Sequence, residues 1–257
     1  MAGIFDTHCH LMSEEYNVDE TSETIEEARI SGVVLLNNVG YDIESSEAAV
    51  RQALQYDSVY ATVGIHPTDV ARHSSADIQR LNELSNASKV IAIGEIGLDY
   101  YHKNVSPELQ KEWFRKQIKI AKAHDLPVVI HCRDAYEDCF KILLEEKVTK
   151  GEMHCYGGDI VMAQKFLDLG FYISFAGNIT FKNAENLREV ARLIPLNKLL
   201  VETDAPYLTP DPYRGEKNYP RFITYTVKKL AELKKIPVEE MIRVTSRNGK
   251  KVFGIQE

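Results

Sequence analysis

The sequence predicts an α/β chain folded as a (β/α)8 TIM barrel. Two patterns in its 257 residues carry that expectation. Eight short apolar, β-branched runs recur, each followed by a segment of helical spacing, and polar, metal-competent residues stand where several of those runs end. Near-continuous apolar runs suit strands buried on both faces of a parallel sheet. Their alternation with helices at this length favours one closed barrel domain, 1–257, over an open sheet. An open doubly wound sheet would place a Gly-rich phosphate loop after its first strand, and Asp6-Thr7-His8-Cys9-His10 is nothing like one.

Taken in order, the strand candidates are Ile4–Thr7, Val33–Asn37, Tyr60–Gly64 and Val90–Gly94, then Pro127–His131, Glu152–Cys155, Tyr172–Phe175 and Leu199–Glu202. Between the first two, Ser22 with Glu26 opens a weak helix that ends before Gly32. Ser106-Pro107-Glu108 is a stronger start: Ser caps, Pro fits the first turn and Glu complements the helix dipole. That helix runs to about His124, with Trp113, Phe114, Ile118 and Ala121 on one face. Ile223, Val227 and Leu230 stripe another near the C-terminus.

Composition narrows the function. A formal charge of −7 argues against a protein that coats duplex nucleic acid, because phosphate contacts come from Lys and Arg. It leaves room for an enzyme that holds a few phosphates. No run reaches the roughly 18 apolar residues of a membrane span, and Met1–Phe5 lacks a basic secretory n-region. The four cysteines have no framework spacing, so reduced thiols in a cytoplasmic protein are expected.

The chemistry lies at the strand ends, the edge where barrel enzymes keep their active sites. Strand one ends in His8-Cys9-His10, whose imidazoles, two apart, share a face. Strand four ends in Glu95, where Gly94 removes bulk and the two carboxylate oxygens can bridge two cations. His131 ends strand five, His154 strand six, and Glu202-Thr203-Asp204 strand eight. Buried imidazoles and carboxylates cost several kcal/mol unless paired or metal-bound, so five such ends together point to metal. The expected ligands are therefore His8, His10, Glu95, His131, His154 and Asp204. Cys9, Cys132 and Cys155 neighbour histidines but should face the outer helices as small buried hydrophobes. His66, after strand three, is a candidate for orienting substrate. Arg133, Arg214 and Lys217 are candidates for phosphate.

These motifs resemble those of the TatD-related metal-dependent deoxyribonucleases, within the amidohydrolase-type barrel superfamily. The likeness spans the chain: Phe5-Asp6-Thr7-His8-Cys9-His10-Leu11, Gly64-Ile65-His66-Pro67, Gly94-Glu95-Ile96-Gly97-Leu98-Asp99-Tyr100 and Pro127-Val128-Val129-Ile130-His131-Cys132-Arg133. It continues through His154-Cys155-Tyr156-Gly157-Gly158, Ser174-Phe175-Ala176-Gly177 and Glu202-Thr203-Asp204-Ala205-Pro206-Tyr207-Leu208. The resemblance implies hydrolysis of phosphoester bonds, typically in DNA, with His8, His10, Glu95 and Asp204 on one metal and Glu95, His131 and His154 on the second. It also implies a 3′-to-5′ exonuclease acting on single-stranded DNA or ends. Two departures bear on substrate preference. The family loop Arg-Gly-Lys-Arg-Asn-Glu-Pro reads Arg214-Gly215-Glu216-Lys217-Asn218-Tyr219-Pro220 here, and the usual His-Cys-Phe-Ser-Gly carries Tyr156 and Gly157.

The mechanism expected is two-metal hydrolysis with Asp204 as general base. Mixed imidazole and carboxylate donors suit Zn, Mn, Co or Ni, with Mg held more loosely. No membrane and no obligate protein partner is expected. Two rivals remain: a C–N or ester hydrolase of small molecules on the same barrel, and a metal-stabilised scaffold without activity. Many small-molecule hydrolases of this barrel bridge their metals with a carboxylated lysine on strand four, where Glu95 stands, and a structural zinc site is closed by four ligands.

Overall fold

The expected alternation is present, strand by strand, in the computed structural model, which describes residues 3–16 and 20–256. The strands are β1 (Ile4–Cys9), β2 (Val33–Val39), β3 (Val59–Val63), β4 (Val90–Asp99), β5 (Val128–Arg133), β6 (Gly151–Met153), β7 (Tyr172–Phe175) and β8 (Leu199–Val201). The helices are α1 (Glu20–Ile30), α2 (Ile43–Gln55), α3 (Ser75–Leu84), α4 (Pro107–Ala123), α5 (Tyr136–Glu145), α6 (Ile160–Leu169), α7 (Glu185–Leu193), α8 (Ile223–Lys234) and α9 (Val238–Phe253). The strands form one parallel sheet in sequence order. A parallel bridge between Cys9 and Ala205 joins the first strand to the chain after the last. The result is a (β/α)8 barrel.

The physical reasons are those legible in the sequence. Every residue of β1, β4 and β7 is buried, as strands between a barrel interior and a helix layer require. In α4, Ser106 caps the first turn by accepting the Leu109 N–H, and Pro107 opens the helix. Trp113, Phe114, Ile118 and Ala121 are all buried on its inner face. Helix α1 starts at Glu20, ahead of the expected Ser22, and the turn beyond it is made by Gly32 at φ +92°.

A second apolar cluster seals the far end of the barrel. Phe5, Ile91, Val129, Tyr172 and Leu200, from the starts of their strands, meet Val252 and Phe253 of α9. The Phe5 and Phe253 rings pack edge-to-face at 5.9 Å. With that end closed, the cavity opens at the strands' C-terminal edge. No helix among the described residues is long and apolar enough to cross a membrane.

Candidate active site

The cavity at that edge has a volume near 940 Å³, and His10, Glu95, His131, His154 and Asp204 line it. His8 lies just beneath, fully buried. The six residues expected from the sequence therefore converge from five segments.

Local backbone explains the convergence. His8 and His10 sit two apart on and just past β1, so both rings point the same way. The Asp204 N–H donates to the His8 carbonyl, and the His10 N–H to the Ala205 carbonyl, so the β8 exit is held against β1. Asp204 itself is left-handed, at φ 55°, a conformation that costs about 1 kcal/mol or more for a residue with a Cβ. Buried glutamines on α4 hold two other segments. Gln117 accepts from the Ile65 N–H and donates to its carbonyl, and Gln110 does the same for Asp99. Gly97, at φ +142°, lets β4 pass β5, because a Cβ there would lie 2.0 Å from the His131 carbonyl oxygen.

Glu95 is the centre. Its Oε2 faces His8 Nε2 at 3.5 Å and His10 Nε2 at 3.8 Å. Its Oε1 faces His131 Nδ1 at 2.9 Å, His154 Nε2 at 3.3 Å and His66 Nε2 at 3.6 Å. Asp204 Oδ1 completes the first group, 3.8 Å from His8 Nε2 and 3.4 Å from His10 Nε2. The two imidazole nitrogens there are 3.3 Å apart. Four donors around a cation at zinc-like bond lengths would stand roughly 3.3–3.6 Å from one another. The five separations within the first group, 3.3 to 3.8 Å, overlap that range, so these side chains fit a divalent cation. His10 is oriented for it: its Nδ1–H donates to the Val39 carbonyl at 2.6 Å, which turns Nε2 toward the group.

Beneath this layer lies a ring of acids that the sequence reading did not assign. Glu202 Oε1 approaches His154 Nδ1 to 2.8 Å without the alignment of a hydrogen bond, and accepts the Cys155 N–H at 3.0 Å. Asp99 accepts from His131 Nε2 at 2.9 Å. Asp6 accepts from the Thr203 N–H and hydroxyl, and Glu152 from the Thr7 hydroxyl. His8 Nδ1, Glu152 Oε2 and Glu202 Oε2 are buried with no hydrogen-bond partner. A spacing rule would have flagged three of them: Asp6, Glu152 and Glu202 each stand two residues before His8, His154 and Asp204, the interval at which strand side chains repeat a face, although only Asp6 and His8 share a strand here.

Electrostatics follow from this packing. Burial works to raise the Glu95 carboxyl, but the His154 charge and hydrogen bonds from His131 and His154 hold it well below the usual range. Asp204 is also lowered: burial opposes, and the His10 hydrogen bond and His154 charge prevail. Burial lowers His154, yet Glu202 and Glu95 push it well above an ordinary imidazole. His66 is the opposite case, lowered to about 3 by burial and by His131. Burial, joined by the Glu202 charge, raises Glu152 well above the carboxylate range.

The remaining expectations divide. His66 and Arg133 line the cavity. Arg214 and Lys217 do not: Arg214 lies over the Phe181 ring, and Lys217 is paired with Glu20 at 3.1 Å between the rings of Tyr16 and Tyr219. Spacing alone could not see that local carboxylate and aromatic partners hold the loop. Cys9 is buried as expected, with its thiol on the Asn37 carbonyl. Cys132 and Cys155 instead line the cavity. For Cys155 the cause is plain, because β6 ends at Met153 and Cys155 turns to φ 41°, so strand alternation no longer applies.

A model of the family described as TatD related DNase matches residues 5–254. The chain is 42% identical to the uncharacterized metal-dependent hydrolase YabD of Bacillus subtilis, over 98% of this chain and 99% of that one. It is 38% identical to the uncharacterized metal-dependent hydrolase YcfH of Escherichia coli, over 98% and 96%. The crystal structure of YjjV, a TatD homolog from Escherichia coli, superposes with a TM-score of 0.94 at 30% identity, covering 98% of each chain. Barrel and relatives agree, and the chain belongs to the family of TatD related DNases, as a metal-dependent hydrolase.

Proposed function

We propose that this chain is a metal-dependent phosphodiesterase that shortens single-stranded DNA from its 3′ end. The observation that carries the reading is the division of Glu95, one oxygen facing His8 and His10 and the other facing His131, His154 and His66, at the floor of an open cavity. We assign one cation to His8, His10, Glu95 and Asp204 and a second to Glu95, His131 and His154; in support, His8, His10 and Glu95 offer clustered donors for the first, and His66, Glu95 and His131 cluster at the second, with His154 Nε2 3.3 Å from the same Glu95 oxygen. Zn, Mn, Co or Ni suits the mixed donors. The family's description as DNases and the Arg133 guanidinium on the cavity wall favour a phosphodiester over an amide. Four free cysteines suit a reducing cytoplasm.

When bound, such cations supply Lewis-acid activation of water and neutralise charge on the phosphate. The side chains supply the rest. Asp204, ionised at neutral pH, takes the proton of the attacking water through a carboxylate oxygen. His66, neutral because burial and His131 disfavour its charge, presents Nε2 beside Glu95 for a hydrogen bond with substrate or water. Arg133 attracts the phosphate and orients it.

The test is incubation of metal-stripped and metal-restored protein with 3′- and 5′-labelled single-stranded DNA, beside phosphomonoesters, esters and cyclic amides. Stepwise loss from the 3′ end in the restored protein alone is the expected result. Turnover confined to amides or carboxylic esters would overturn it.

A further inference from the structure

We propose that the cavity carries two base-stacking shelves on opposite sides of the imidazole–carboxylate floor, one for the terminal base of the substrate strand and one for its neighbour. The inference rests on the phosphodiesterase reading and specifies its substrate.

One shelf is Tyr207. It lines the cavity three residues past Asp204 and is 51% exposed. Its ring stands edge-on to His10 at 6.1 Å, beside Tyr41, whose ring meets His10 at 5.6 Å. The other shelf is built after β4 and at the end of β5. Tyr101 is 55% exposed, and the Arg133 guanidinium lies over its ring, 3.7 Å from the centroid. Arg133 makes no ion pair among the described residues, so its outer face and N–H edge are open to the cavity it lines. The strand order puts β4 and β5 diametrically across the barrel from β8 and β1.

A lone exposed tyrosine needs no explanation. These two surfaces differ because Tyr207 and the Arg133 guanidinium, backed by the Tyr101 ring, line one cavity from opposite walls, with the reactive floor between them. A phosphodiester has a nucleoside on each side, so a site that centres the phosphate must accommodate a base toward each wall. The cavity, near 940 Å³, is at the upper end of the ~300–1,000 Å³ usual for small-ligand pockets, which leaves space for a terminal nucleotide and its neighbour. Aromatic and guanidinium planes hold bases by stacking, with little regard to sequence.

The test compares oligothymidylate with the same oligomer carrying an abasic residue at the terminal position or at the next one. Affinity is read by fluorescence anisotropy and by KM in metal-restored protein. Removing either base should weaken the native protein's grip roughly ten- to hundredfold. Tyr207→Ala should erase the penalty for one of the two bases, and Arg133→Ala or Tyr101→Ala the penalty for the other. Tyr207→Phe, which keeps the ring, should retain the native pattern, and thermal melting confirms that each variant is folded. Equal handling of intact and abasic oligomers, or full discrimination in Tyr207→Ala, would overturn the shelves while leaving the phosphodiesterase standing. Failure to cleave any phosphodiester would overturn both.

Discussion

Replacing Glu202 by Gln tests whether the acid beneath His154 tunes the site from behind. Glu202 is fully buried, with Oε1 2.8 Å from His154 Nδ1 and 3.0 Å from the Cys155 amide. A glutamine of the same shape still accepts from Cys155 but loses the charge that faces the imidazole. Charged partners behind metal-bound histidines are worth about ten- to a hundredfold in metal affinity. The expected result is therefore a ten- to hundredfold weaker Kd for Zn²⁺, measured by titrating metal-stripped protein against a competing chelator. Glu152→Gln is the control. Burial and the Glu202 charge already favour the neutral form of Glu152, so a neutral amide should change that Kd by less than about threefold. A folded Glu202→Gln protein that binds Zn²⁺ as tightly as the native one would refute the reasoning.

Three further outcomes follow from the same geometry. Asp204→Asn should lower kcat by about 10²–10⁴-fold, the usual contribution of a positioned base; full turnover with metal bound would remove Asp204 from that role. Burial lowers His10, His131 and His154, but Asp204, Asp99 and Glu202, respectively, lead the partners that raise them above the ordinary imidazole value. Their contribution to the metal-free fold is complete below about pH 6.5 and is lost as pH climbs through the raised values. Cations compete with the same protons, so the gap in Tm between metal-loaded and metal-free protein should widen from pH 6.5 to 9, and a constant gap would contradict it. Gly97→Ala should destabilise by about 1–3 kcal/mol or more in chemical denaturation, since the added methyl meets the His131 carbonyl and φ is +142°.

Much of this was readable in the chain because a barrel couples sequence to position so directly. An apolar run marks a strand, and the first polar residue after it lands at the mouth; His8, His10, Glu95, His131, His154 and Asp204 were found that way. What resisted reading was whatever depends on the layer below or on partners far along the chain. Asp99 and Glu202 look like ordinary strand-end acids until the barrel sets them behind His131 and His154. Gln110 and Gln117 appear as helix residues on an otherwise apolar face, and only the fold shows their amides holding the backbone at Asp99 and Ile65. Lys217 misled because its pairing with Glu20 crosses nearly the whole chain. Cys155 misled because β6 stops at Met153, one residue before His154.

The most direct test of the account is anomalous diffraction from crystals grown with Zn²⁺ or Mn²⁺, recorded at the metal's absorption edge. Two peaks are expected, each touching one oxygen of Glu95, the first among His8, His10 and Asp204 and the second beside His131 and His154. A single peak, or two that leave Glu95 untouched, would contradict it.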